Sequence, residues 1–209
     1  MLRILLLDDH AMVREGLRRI LAHELAPDRL GEAATAEAAL VLLAREAWDL
    51  LLLDLSLAGR SGLDVLVDVQ QRWPHVRILV VSMHSEREFV MRALKAGASG
   101  YITKDQASGE LVQAVRKLLA GGRYLGDAVT GHLVEELTHD HAASPHDALS
   151  PREFEILRAL AAGRTVTELA RELAISVKTV STYRARVAEK LGLSSTADLI
   201  RYAIEHHLV

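Results

Sequence analysis

Three acids, a hydroxyl and a lysine stand where chemistry can collect. Asp8 and Asp9 follow the apolar run 3–7, Asp54 follows the four leucines 50–53, Ser82 ends the β-branched run 77–82, and Lys104 follows 100–103. Taken singly, each has an ordinary reading: acids after a strand often cap a turn or helix, and a lysine is usually solvated. Their joint placement, each at the C-terminal end of an apolar run, points further. Three carboxylates brought together repel one another unless a cation joins them. A set of oxygen donors with room for water favours Mg²⁺. A lone lysine beside them supplies a mobile point charge suited to phosphate, and the Ser82 hydroxyl can bond a further oxygen. Such a set suits a phosphoryl group held on or near a carboxylate.

A second set lies near the C-terminus. The segment Ser176–Leu191 carries Lys178, Arg184, Arg186 and Lys190 against Glu189 alone, in a chain whose net charge is −3. At helical spacing, Val177, Val180, Val187 and Leu191 fall on one face, with Tyr183 at its edge. Lys178, Ser181, Thr182, Ala185 and Glu189 fall on the other, flanked by Thr179, Arg184 and Arg186. Small side chains let a helix approach base edges, and cations reach phosphates. An ordinary helical bundle with a charged, solvated face is the bland alternative.

The elements that must position these residues follow from periodicity. Strands are expected near 3–7, 30–34, 50–53, 77–81 and 100–103, and helices near 11–25, 36–47, 62–72, 87–96 and 108–120. Five strand–helix units in about 120 residues describe an α/β fold, a five-stranded doubly wound parallel sheet with helices on both faces. In that fold every strand C-terminus opens on one edge, so residues far apart in sequence converge there. Gly121-Gly122 closes the block. Residues 123–147 read as a linker with a short helix near 128–137, and His139, His141 and His146 read as solvated linker residues. Beyond it the chain is all-α. Ser150-Pro151-Arg152-Glu153, Thr165–Glu168 and Ser195–Asp198 have the form of helix starts, and Ser176 is placed to cap the helix after it. Helices are expected at about 151–162, 166–173, 177–191 and 196–207. The second and third are joined by a few residues, which is helix-turn-helix spacing, about Val166 to Ala185.

Composition narrows the classes. The chain has 209 residues and no cysteine, which excludes a disulfide framework, thiol catalysis and a Cys-ligated metal. No apolar run approaches a membrane span, and MLRILLLDDH lacks the form of a signal peptide, so a cytoplasmic protein without membrane partners is expected.

Residues 1–122 resemble the receiver domain of two-component response regulators, through Asp8-Asp9, LLLDL with Asp54, VVSMH with Ser82, and KAGASGYITKD with Tyr101 and Lys104. The resemblance implies a flavodoxin-like fold and a phosphoryl acceptor, Asp54, served by a sensor histidine kinase. It implies Mg²⁺ held by Asp8, Asp9, Asp54 and the backbone carbonyl of Ser56, with Lys104 and Ser82 on the phosphoryl group. Ser82 and Tyr101 become the switch pair. Residues 148–209, LSPREFEILRALAAG through VKTVSTYRARVAEKLGL, resemble the LuxR-type helix-turn-helix domain. The whole chain is similar to a NarL/FixJ-type response regulator, which implies a transcription factor rather than an enzyme, binding double-stranded promoter DNA, controlled by phosphorylation through dimerisation or release of the DNA-binding domain, and forming a homodimer when phosphorylated or DNA-bound. The implied DNA-facing residues are Lys178, Thr179, Ser181, Thr182, Tyr183, Arg184, Ala185 and Arg186.

The likeness has departures. Leu57-Ala58-Gly59 replaces a common Met-Pro-Gly, and Asp105 stands where proline often follows the lysine. Ala174 occupies a turn position that often holds glycine, and Tyr183 replaces a frequent histidine. Ala185 replaces a base-contacting lysine of some relatives, so sequence preference does not transfer. Two other readings compete: a Mg²⁺-dependent phosphohydrolase with Asp54 as nucleophile, which would want a second acid where Ser56 stands, and a regulator whose receiver serves as a dimerisation platform without phosphorylation.

Overall fold

The computed structural model describes residues 1–85, 87–127, 129–130, 144–206 and 208–209; of Arg87, only the backbone is described. The chain forms two compact units, Met1–His139 and Asp140–Val209. Of the expected linker helix only residues 129 and 130 are described, and His139 and His141 lie outside the described residues.

In the first unit six strands form one sheet in the order β2-β1-β3-β4-β5-β6, every neighbouring pair parallel. They are β1 (Arg3–Leu7), β2 (Arg29–Ala33), β3 (Leu50–Leu53), β4 (Arg77–Ser82), β5 (Gly100–Thr103) and β6 (Tyr124–Leu125). Helices α1 (Ala11–Glu24), α2 (Ala36–Arg45), α3 (Gly62–Arg72), α4 (Arg87–Lys95) and α5 (Ala107–Leu119) make the crossovers. All four residues of β3 are buried. A central parallel strand is covered on both faces, which is why its sequence runs apolar without alternation.

The sheet has one strand more than expected. Tyr124–Leu125 pairs with β5, Tyr124 opposite Gly100 and Leu125 opposite Tyr101. It lies past Gly121-Gly122, so the block does not close there. Two residues carry no readable period, and the preceding glycines read as an end. Pairing β6 covers the outer edge of β5, which would otherwise present unpaired backbone groups.

The second unit contains a 3₁₀ turn (Pro145–Ala148) and helices α6 (Pro151–Ala161), α7 (Val166–Glu172), α8 (Val177–Leu191) and α9 (Thr196–Glu205). Reciprocal capping boxes form at Ser150/Glu153, Thr165/Glu168 and Ser195/Asp198, and the Ser176 hydroxyl accepts from the Thr179 amide. Each satisfies backbone donors that a helix start leaves unpaired. Ile156, Leu160, Leu169, Ala170 and Val180 form a core, with Tyr183 packed against it.

Two placements correct the sequence reading. His146 is buried rather than solvated: its Nδ1 lies 3.0 Å from the Tyr202 hydroxyl, and its ring packs beside Phe154 and His206. Val177, expected inward, is 48 % exposed, because the helix start at 176–178 stands clear of the core, which α8 first meets at Val180.

Candidate functional site

The strand order fixes where a ligand can sit. From β1 the chain steps outward to β2, then crosses to β3 on β1's other side, so the order reverses between β1 and β3. The crevice at that switch point lies beyond the strand C-termini. Asp8 leaves β1 and Asp54 leaves β3 there, and the Asp54 amide donates to the Leu7 carbonyl at 2.9 Å. The sheet alone therefore brings together two acids 46 positions apart in sequence.

Both are buried, and Lys104 lies between them. Its Nζ is 2.7 Å from Asp54 Oδ2 and 2.7 Å from Asp8 Oδ2. The Lys104 amide donates to the Ser82 carbonyl at 2.9 Å, which carries the β4–β5 ladder one step further and aims the side chain across the sheet edge. Burial pushes the Asp54 carboxyl above the ordinary carboxylate range, helped by neighbouring Asp8 and opposed by Lys104. Burial acts to lower the Lys104 pKa, but the Asp54 and Asp8 carboxylates outweigh it and hold it above the usual lysine value. The lysine stays charged as an internal counter-ion.

Asp9 points into the same cluster from a more open position. One of its carboxylate oxygens accepts from the Ala58 amide at 3.0 Å, and the other lies 2.7 Å from His10 Nδ1. The Ala58 contact ties the departing loop Leu57-Ala58-Gly59 to the acid pair without a proline. Side-chain donor atoms of Asp8, Asp9, His10 and Asp54 all fall within 4.8 Å of one another. The predominance of carboxylate oxygen, with one acid open to water, fits a hard divalent cation. His10 had no signal in the sequence; it enters because its amide donates to Asp8 Oδ1 at 2.7 Å, which turns the ring back over the acids.

Ser56, Ser82 and Tyr101 meet at His84, a second residue that sequence reasoning missed. The Ser56 amide donates to Asp54 Oδ1 at 3.1 Å, and its hydroxyl lies 3.2 Å from His84 Nε2. The Ser82 hydroxyl accepts from the His84 amide at 3.2 Å, and the Tyr101 hydroxyl donates to the His84 carbonyl at 2.6 Å. The His84 ring stacks on Phe89, 4.1 Å between centroids. Tyr101 is fully buried, so its ring is turned inward. Its own carbonyl accepts from the Gly126 amide at 2.9 Å, so β6 hangs directly on this residue.

The geometry of the second unit agrees with helix-turn-helix spacing. Residues 173–176 join α7 to α8, and Ala174 takes φ 51°, the left-handed region that favours glycine. A non-glycine residue there costs about 1 kcal/mol. On α8, Val180 and Val187 are buried, whereas Lys178, Thr182, Ala185 and Arg186 are exposed. Thr179, Ser181, Tyr183 and Arg184 are half-buried. Arg184 donates to the Thr196 hydroxyl at 3.3 Å, Thr179 is held by Ser176, and the Arg186 guanidinium lies 6.0 Å from the Tyr183 ring. Ser176, Lys178, Thr179, Thr182, Tyr183 and Arg186 line one shallow groove of about 280 Å³.

A sheet edge of this chemistry joined to a helix-turn-helix unit defines the class, a regulator of transcription. Comparison with known proteins makes it specific. Residues 4–116 match the response regulator receiver domain family, and residues 147–203 match the bacterial regulatory proteins of the luxR family. The chain is 37 % identical over 210 residues to the response regulator GacA of Pseudomonas protegens, covering 100 % of this chain and 98 % of that protein. It is 33 % identical to the response regulator UvrY of Escherichia coli, covering 100 % and 96 %. Among solved structures it is similar to RcsB from Salmonella enterica serovar Typhimurium bound to promoter P1flhDC in the presence of the phosphomimetic BeF3−, with a TM-score of 0.62, 27 % identity, and 96 % and 97 % of the two chains covered. The chain belongs to the NarL/FixJ-type two-component response regulators, with a receiver domain and a LuxR-type DNA-binding domain. No helix among the described residues is long and apolar enough to cross a membrane.

Proposed function

We propose that Asp54 is the phosphoryl acceptor and that its phosphorylation controls DNA binding by α8. The observation that carries this reading is the pair of 2.7 Å contacts from Lys104 Nζ to Asp54 and Asp8 at the switch point of the sheet. In the transfer, an Asp54 carboxylate oxygen attacks the phosphorus of a phosphohistidine on a sensor kinase. The P–N bond breaks, and its electron pair leaves with the histidine nitrogen. Asp8, Asp9 and Asp54, with the Ser56 carbonyl, are the residues that would hold Mg²⁺. A divalent cation bound there supplies positive charge for the transferring phosphoryl oxygens. Lys104 follows the new charge on Asp54, and the Ser82 hydroxyl turns to a phosphoryl oxygen.

The hydrogen bonds around His84 give that turn a route outward. Ser82 leaves the His84 amide, while Tyr101 is held by the carbonyl of the same residue, and β6 hangs on Tyr101. A change at Asp54 thus reaches the segment that leads out of the receiver domain. On the DNA side, Lys178, Ser181, Thr182 and Ala185 face the major groove, and Thr179, Tyr183, Arg184 and Arg186 flank it. The solved RcsB structure holds promoter DNA in the presence of a phosphomimetic, and the same use of the helix is inferred for this chain. Two chains double the number of phosphate contacts, so a dimer is the expected DNA-bound form.

The test is binding of the full chain to promoter DNA with and without a small-molecule phosphodonor and Mg²⁺, comparing the wild type with Asp54→Asn. The reading expects a donor-dependent gain in affinity that the variant lacks. Equal binding by the two proteins under donor would refute the coupling and favour a receiver that acts without phosphorylation.

A further inference from the structure

We infer that Val177 reads the 5-methyl group of a thymine, and so sets sequence preference at one base position. This rests on the DNA-binding reading of α8. Val177 is a large apolar side chain left 48 % exposed at the start of that helix, where spacing alone would have placed it inward. Its neighbours Ser176 and Lys178 are exposed too, and the helix first meets the core at Val180.

The position is right for a base contact. Residues four apart lie on one helix face, so Val177 sits one turn before Ser181, and Lys178 one turn before Thr182. The N-terminal residues of a recognition helix are those that reach base edges. The polar groups of the same turn are already engaged: the Ser176 and Thr179 hydroxyls lie 2.7 Å apart, and Ser176 Oγ also accepts from the Thr179 amide. Thr182 donates its hydroxyl proton to the Lys178 carbonyl at 2.9 Å. The turn therefore offers a branched apolar surface beside one mobile cation. In the major groove, the apolar feature that distinguishes one base from the others is the thymine methyl. Lys178 beside it supplies a cation for phosphate or a guanine edge.

The occupant can be tested one methyl at a time. The full chain is used to select its preferred duplex from a random-sequence library. Each thymine of that duplex is then replaced by uracil, which removes the methyl and leaves the base-pairing edge unchanged. Wild type and Val177→Ala are compared on the series. Burial of one methyl corresponds to about a fourfold change in affinity. The expected result is one thymine per half-site whose replacement weakens the wild type about fourfold. Val177→Ala should bind the thymine duplex about fourfold more weakly and be indifferent to that replacement. If every uracil affects the two proteins alike while both bind selectively, the Val177 assignment is wrong and the DNA-binding reading stands. If no duplex is selected at all, that reading falls and the inference with it. Equal melting temperatures of the two proteins check that the variant is folded.

Discussion

Lys104 Nζ lies 2.7 Å from Asp54 Oδ2, and both side chains are almost completely withdrawn from solvent. A buried carboxylate that loses its counter-ion becomes strongly unfavourable. Lys104→Gln is therefore expected to destabilise the receiver domain by about 3 kcal/mol in EDTA. Mg²⁺ should recover more stability in the variant than in the wild type, because a cation among Asp8, Asp9 and Asp54 replaces the missing charge. Denaturant unfolding with and without MgCl₂ measures both. An equal Mg²⁺ increment in the two proteins would place the cation elsewhere.

Gly62 is a second residue on which the site depends, through backbone rather than charge. A Cβ at this position would lie 2.2 Å from the Asp54 carbonyl oxygen and 2.5 Å from Leu55 Cα. Neither atom can move without displacing the end of β3. Gly62→Ala is expected to cost about 1–3 kcal/mol and to lower the rate of phosphoryl uptake. Gly16, on the exposed face of α1, has nothing within 4 Å of its Cβ position. Gly16→Ala is the control, expected to raise stability by about 0.5–1 kcal/mol with uptake unchanged. Thermal melting and a labelling time course separate the two outcomes.

Glu153 contributes to the pH dependence of the second unit. Its carboxylate lies 2.7 Å from Lys190 Nζ and accepts from the Ser150 amide at 2.7 Å. Burial works against the ionised form, but Lys190 and Ser150 outweigh it, and the pKa stands below the ordinary glutamate value. A lowered folded-state pKa means that this stabilisation is complete above the unfolded value, about 4.3. It is lost as pH falls from there through the folded value. Glu153→Gln should lower stability at pH 7 by about 1–3 kcal/mol and flatten the acid limb of the stability curve below pH 4.3. An unchanged acid limb would assign that pH dependence to other carboxylates.

What the sequence discloses depends on how local the cause is. The four leucines of β3 read correctly because burial on both faces leaves no alternation to mistake. The convergence of Asp8, Asp54 and Lys104 was legible because a doubly wound sheet must bring its strand ends together. The helix starts of the second unit read correctly because capping is a contact over three residues. His10 and His84 did not read, since one joins the acids through a turn and the other gathers Ser56, Ser82 and Tyr101 from three elements. His146 looked like a linker residue because its partner Tyr202 lies 56 positions away. Val177 shares the spacing of the buried valines, but periodicity does not reveal where a helix leaves its core. Ala174 was legible as a turn residue; its left-handed φ shows that the fold tolerates the missing glycine.

In the proposed function, Asp54 takes up a phosphoryl group with the help of the acids and lysine around it. The most direct measurement is the intact mass of the full chain after incubation with a small-molecule phosphodonor, with Mg²⁺ or with EDTA, for the wild type and Asp54→Asn. One phosphoryl group is expected on the wild type, only with Mg²⁺, and none on the variant. A folded wild type that gains no mass with Mg²⁺ present, or an Asp54→Asn protein that gains the same mass as the wild type, would contradict it.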